Sequence, residues 1–313
     1  MNNIFPGSAY LDFYEDKLFL VSSTGIIGFS NNIQEDKIIF KQIKNNISKF
    51  IDDKDFYKNE WFSIKDVLIS DNKIYISYTN QLNKDCYNTS ILSAEINLDY
   101  LNFKYLFNPN ECVKIFNEDD VFNAHQSGGR IAELDNKNLL FTVGEYRLRY
   151  KSQESNSVFG KLLKINKFNG KYEIVSLGHR NPQGLHYDKK KKLILMTEHG
   201  PAGGDEINFI KNEELNSKKN FGWPIASYGK HYGGQTKKNS KYPLKKSHSN
   251  NGFAEPLQYF VPSIGISQIE KIGQNKYIFG SMRNKMLYEF DFLDQKKEII
   301  NLKEIYKDER IRD

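Results

Sequence analysis

The sequence predicts an all-β chain of the propeller type, and three observations carry that expectation. A turn containing Asp, Asn or Lys leads five times into an alternating apolar run: DKLFLVSS from Asp16, NKIYISYT from Asn72, KNLLFTVG from Lys137, KKLILMTE from Lys191 and NKYIFGSM from Asn275. The second residues of these runs stand at 17, 73, 138, 192 and 276, in steps of 56, 65, 54 and 84 residues. A unit of roughly 40–50 residues with about four short strands is a propeller blade, and the excess length is inserted loop. Finally, Tyr (19) and Phe (22) are abundant, which suits pleated, half-buried surfaces.

Taken in order, the runs are joined by further short strands, among them Ser90 to Ile96, Lys161 to Ile165 and Tyr172 to Ser176. No stretch keeps a helical period beyond a turn or two. Glu206 to Leu215 reads as a brief helix or as a strand plus turn. The widest gap holds a Gly-, Ser-, Asn- and Lys-rich loop from Tyr228 to Gly252. A closed ring has about 4–8 blades. The sequence closes on the charged KDERIRD with no strand after it, so the expectation is one domain over residues 1–313 whose last blade is incomplete. The other reading is a ring that closes on the N-terminal strands.

Composition narrows the function. Net charge is +6, from 45 basic and 39 acidic residues, and much of the excess is turn lysine, in Asp188 to Lys192 and Lys237 to Lys246. Lysines there blunt sheet edges, whereas a nucleic-acid surface gathers them on one face; no nucleic-acid partner is expected. With no run of about 18 apolar residues, no membrane span is expected either. Cys86 and Cys112 are the two cysteines. They suit one disulfide in an oxidising compartment or two buried thiols.

Four groups of residues carry chemistry. His125, in AHQSGGR, follows the pattern of a histidine presented beside a tight glycine turn, and the same residue suits a structural role. Arg130 just after it reads as an ion-pair partner. Arg180, Asn181 and Gln183 form a compact set of donors, suited to a carboxylate ligand or to a self-capped polar turn around Pro182. Gly200 and Pro201, followed by Asp205-Glu206, suggest a hard cation, since calcium takes carboxylate and backbone carbonyl oxygens. Arg310 and Arg312 alternate, so an extended chain points both to one side. Trp223 in NFGWP reads as packing.

The order HQSGGR, FGKLLKIN, LGHRNPQGL, TEHGPAGGDEIN, NFGWPIASYG, VPSIGIS, ERIRD resembles the soluble pyrroloquinoline quinone-dependent sugar dehydrogenases. This is the glucose/sorbosone dehydrogenase family, and the likeness is strongest to its bacterial aldose sugar dehydrogenase branch. It is clearest over residues 120–313; residues 1 to 110 support only the blade pattern. The resemblance implies six blades and oxidation of an aldose at its anomeric carbon to a lactone, with hydride passing to the quinone. It implies His125 as general base, Arg180, Asn181, Gln183, Arg310 and Arg312 as cofactor contacts, and Gly200 and Pro201 as the calcium-binding carbonyls. The family's cofactor-binding lysine corresponds here to Arg283, and Gly144-Glu145 stands where many relatives have Gly-Asp. A sugar is the implied substrate, the electron acceptor is left unnamed, and an exported, periplasmic location is implied. The competing expectation is a propeller of the same family that binds without catalysis, because fold alone does not dictate chemistry.

Overall fold

The computed structural model describes residues 9–51, 63–119, 122–234 and 236–313. Among them there is no α-helix, and the strands form five sheets of four or five strands. Each predicted run becomes the second strand of one sheet: Lys17–Ser22, Lys73–Asn83, Asn138–Val143, Leu193–Glu198 and Lys276–Ser281. Its partner on one side is the sheet's first strand: Ala9–Tyr14, Ile64–Ser70, Gly128–Glu133, Pro182–Asp188 or Ile266–Lys271. The segment from Glu206 belongs to the strand Asp205–Lys211 and then a 3-10 turn at Asn212–Glu214, which settles the strand-plus-turn reading. Among the described residues, Tyr228 to Gly252 contains 3-10 turns and no strand.

The first strands line up around the centre and are stitched to one another by polar side chains. Asp12 Oδ2 accepts the Ile69 N–H at 2.5 Å, joining the first sheet to the second. Asp66 Oδ2 accepts the Ile131 N–H at 2.7 Å, joining the second to the third. Arg130 Nε donates to the Gln183 carbonyl at 2.8 Å, joining the third to the fourth. Thr197 Oγ1 donates to the Ser267 carbonyl at 2.6 Å, joining the fourth to the fifth. Between the fifth sheet and the first lie residues 311–313. Ser267 Oγ donates to the Ile311 carbonyl at 2.6 Å, the Gln268 N–H to the Arg312 carbonyl at 3.2 Å, and the Leu11 N–H to Asp313 Oδ2 at 2.9 Å. Such pairing leaves few buried backbone groups unmet at the sheet junctions.

Alternation along the strands sends apolar side chains into the spaces between neighbouring sheets. Phe19, Tyr75, Phe107, Phe141 and Phe159 belong to one core spanning the first three sheets. Leu195, Phe209, Ile269, Phe279 and Phe290 fill the space between the fourth and fifth. Two short parallel pairings add cross-links: Tyr100–Leu101 against Lys41–Asn45, and Lys219–Asn220 against Tyr172–Leu177. Cys86 and Cys112 form a disulfide.

Candidate active site

In an antiparallel sheet the start of the first strand and the end of the second share one end. His125 precedes a first strand, as do Arg180 and Asn181; Gly200 and Pro201 follow a second strand, as does Arg283. Topology alone therefore gathers these residues at one end of the molecule.

His125 sits on a 3-10 turn, Ala124–Gln126, capped by Asn123, whose Oδ1 accepts the His125 N–H at 2.9 Å. The chain then turns through Gly128 and Gly129 at φ 62° and 109°, a region that penalises side chains. A Cβ at Gly129 would fall 2.4 Å from the Lys65 Cβ, so glycine lets the second sheet's first strand approach. His125 is solvent-exposed, yet protein crowds it enough that desolvation, then the charges of Lys65 and Arg312, lower its imidazole to about 4.

Next to His125, the Gln126 amide takes the orientation in which its oxygen accepts from Arg180 Nη2 at 3.0 Å and its nitrogen donates to Glu145 Oε1 at 2.5 Å. Arg180 also donates from Nη1 to the His199 carbonyl at 2.9 Å, and its guanidinium lies 5.4 Å from the Trp223 ring centre. The Arg180 N–H is held by the Glu198 carboxylate, which also takes His179 Nδ1 at 2.9 Å. Glu145 is buried, and desolvation raises its carboxyl to about 8 against the opposing pull of Arg180 and Arg149.

A second chain of bonds runs through the other expected residues. Asn181 Oδ1 accepts the Gly128 N–H at 3.2 Å and Gln183 Nε2 at 2.9 Å; Gln183 Oε1 accepts from Arg312 Nη1 at 3.1 Å. Behind them Arg130 is fully engaged. It donates to Asp66 Oδ1 at 2.9 Å, Asp313 Oδ1 at 2.5 Å and the Arg312 carbonyl at 2.8 Å, as its ion-pair reading foresaw.

His199 ties the turn at Gly200 to the fifth sheet through Ile266, with its ring nitrogen 2.5 Å from that carbonyl. Asp205 takes the N–H groups of Gly200 at 3.1 Å, Ile264 at 3.0 Å and Gly265 at 2.7 Å, so this carboxylate is spent on shaping the turn. Glu206 lies 3.3 Å from His248. The Pro201 carbonyl accepts from Ser263 Oγ at 3.2 Å, and Arg283 Nη1 donates to the Ser263 carbonyl at 3.1 Å. Among the described residues no group of three or more His, Cys, Asp or Glu is arranged to hold a metal.

The structure thus brings His125, Arg180, Asn181, Gln183 and Arg312 into one connected set, with Gly200, Pro201 and Arg283 linked beside it. Arg310 is exposed and makes no hydrogen bond or ion pair among the described residues. Sequence reasoning missed Lys65, a buried amine that donates to Ser63 Oγ at 3.1 Å and to the Ala124 carbonyl at 3.4 Å. Desolvation, then Arg312, lowers it to about 7. The signal was present: Ile64-Lys65-Asp66 and Ile311-Arg312-Asp313 share one pattern, and both aspartates bridge to the next strand.

Comparison with known proteins bears on the fold and the family. Aldose sugar dehydrogenase YliI of Escherichia coli is 32% identical over 164 residues, covering 48% of this chain and 41% of that protein. Quinoprotein glucose dehydrogenase B of Acinetobacter calcoaceticus is 35% identical over 135 residues, covering 33% and 27%. These matches span less than half of each relative. A crystal structure described as a glucose dehydrogenase superposes over 97% of this chain and 88% of its own, with TM-score 0.77 and 24% identity. The PQQ-bound aldose sugar dehydrogenase of Streptomyces coelicolor superposes over 98% and 84%, with TM-score 0.70 and 19% identity. At those identities the two structures establish a shared fold. The family model for glucose/sorbosone dehydrogenase matches residues 64–313, and the chain belongs to that family.

Proposed function

We propose that the chain is a quinone-dependent sugar dehydrogenase that oxidises an aldose at its anomeric carbon to the lactone. The observation that carries this reading is a pair of guanidinium groups, Arg180 and Arg312, that have no carboxylate within ion-pair distance among the described residues. They stand at the same end as an exposed, readily unprotonated imidazole. Buried or half-buried cations lacking a counter-charge are costly and suit an anionic ligand that supplies it.

Pyrroloquinoline quinone, with three carboxylates, fits this donor set, and when bound with calcium it supplies a polarised two-electron acceptor. Arg180, Arg312 and Arg283 would meet its carboxylates, with Asn181 and Gln183 holding Arg312 in place. The Gly200 and Pro201 carbonyls would hold calcium; Pro201 spends one lone pair on Ser263 and keeps the other. Arg310 has no hydrogen bond or ion pair among the described residues to fix it, so its part is to add charge at the rim. His125 takes the proton of the anomeric hydroxyl as that carbon is oxidised. Residues 311–313 fit the innermost strand of a sixth sheet, which would complete the ring in this single domain. The disulfide fits an oxidising, exported location.

The test is to titrate the protein with quinone and calcium and then to follow dye reduction with a panel of aldoses. Turnover that disappears in His125→Gln, with quinone still bound, is the expected result. Quinone binding with no turnover on any sugar would instead favour a binding module.

A further inference from the structure

The outer circumference carries a groove that the His125 site does not use. It lies between the second and third sheets, with Asn108 to Glu111 on one wall, Lys151 to Val158 on the other and the Asn169 to Tyr172 turn at one end. Its volume is about 560 Å³, within the range of ~300–1,000 Å³ common for small-molecule sites.

Its walls are held rigid. The Cys86–Cys112 disulfide anchors one wall directly after Glu111. Asn88 Nδ2 donates to the Pro109 carbonyl at 2.7 Å and to the Glu111 carbonyl at 3.2 Å, and Asn108 Oδ1 accepts from Ser90 Oγ at 3.0 Å. Across the groove the Glu111 carboxylate accepts from Ser157 Oγ at 3.0 Å and the Val158 N–H at 2.9 Å. The turn at Gly170 is pressed against the second sheet so closely that a Cβ there would lie 1.9 Å from the Leu106 carbonyl oxygen.

The lining chemistry selects the ligand. Lys151 lies 3.1 Å from Glu111 and 2.8 Å from Glu154, so the one lysine of the lining is already matched by carboxylates and no cation is left over for an anionic ligand. The amides of Asn110 and Asn156 are exposed and without hydrogen bonds among the described residues. An amide both donates and accepts, as a sugar hydroxyl does. Tyr172, 40% exposed and packed edge-on against Phe107, adds a flat apolar face with a hydroxyl at its tip. We propose that this groove is a second carbohydrate site, separate from the His125, Arg180 and Arg312 set, that takes a neutral di- or oligosaccharide against Tyr172 and the Asn110 and Asn156 amides.

The experiment uses the whole protein without quinone. Maltose and cellobiose are titrated by calorimetry, with glucose as the single-ring control and glucuronate as the anionic one, and hydrogen exchange locates the bound sugar. The expected result is disaccharide binding that protects residues 106–111 and 151–158. Tyr172→Ala and Asn156→Ala each weaken it about tenfold or more with the protein still folded, and His125→Gln leaves it unaltered. The Cys86→Ser/Cys112→Ser double variant binds more weakly because one wall is loosened. Competition by soluble starch assigns the groove to a polymer chain, and its absence to free sugars. No heat with either disaccharide, protection confined to the segments around His125, Arg180 and Gly200, or binding indifferent to both Tyr172→Ala and Asn156→Ala overturns the proposal. None of these outcomes bears on quinone binding.

Discussion

Arg130 donates from Nη2 to the carbonyl of Arg312 at 2.8 Å, so the third sheet holds the segment that brings the second uncompensated guanidinium to the site. The same side chain meets Asp66 and Asp313 and is 3% exposed. Removing one partner of a buried ion pair strands the others and costs about 3–5 kcal/mol. Arg130→Gln is therefore expected to destabilise the fold by about that amount in denaturant unfolding, far more than Arg310→Gln, whose side chain makes no hydrogen bond or ion pair among the described residues.

The acid limb of the rate profile should lie low. With its imidazole lowered to about 4, His125 stays unprotonated, and able to accept a proton, at pH values where an ordinary histidine is half charged. The limb of kcat/KM assigned to His125 is expected near pH 4 rather than near 6.5. Lys65→Met removes one of the two charges that disfavour imidazolium, and should move the limb upward. Desolvation, the larger cause, remains, so the move is partial. The sign for stability follows from linkage. Between about 4 and 6.5 the unfolded chain binds a proton that the folded one does not, so this group lowers stability as pH falls through that window. His125→Gln should flatten that part of the curve.

Arg312 and Arg310 should separate cleanly in ligand binding. Hydrogen bonds to charged groups contribute about 1.5–3 kcal/mol, which corresponds to roughly tenfold to hundredfold in affinity. Arg312→Ala is expected to weaken quinone binding by that factor in an absorbance titration, and Arg180→Ala likewise. Arg310→Ala should change it little. Equal losses from Arg310 and Arg312 would show that the extended tail presents both side chains to the ligand.

The disulfide closes a sequence separation of 26 residues, and a loop of that size limits the unfolded chain by about 3 kcal/mol. Reduction should lower stability by about that much in equilibrium unfolding. Sugar oxidation should persist wherever the protein stays folded, since the disulfide includes none of the residues assigned to the sugar and quinone site.

Much of this was legible beforehand because it depends on short-range pattern. Five turn-plus-alternation runs announced five second strands, since period-two patterning is a local property. The polar loops at His125, Arg180 and Gly200 were readable because each flanks such a strand, and antiparallel pairing places them at one end. What escaped depends on long-range pairing. The disulfide was one of two open readings because spacing does not decide it. Asp205 resembled a cation ligand until the N–H groups of Ile264 and Gly265, some sixty positions away, were seen to claim it. Lys65 escaped because its importance comes from neighbours at Ala124 and Arg312. The closing segment likewise looked unsupported, yet residues 311–313 bond to the first, third and fifth sheets.

That closing segment orders events in time. On a ribosome the five sheets emerge and begin to pair before Ile311, Arg312 and Asp313 leave the exit tunnel, and until these residues dock between the fifth sheet and the first, the cationic pair is only half built. A nascent or clipped chain that stops short of them leaves Arg130 with one carboxylate instead of two and the Leu11 N–H without its acceptor, so the join between the fifth sheet and the first is made only once synthesis has run through to that point.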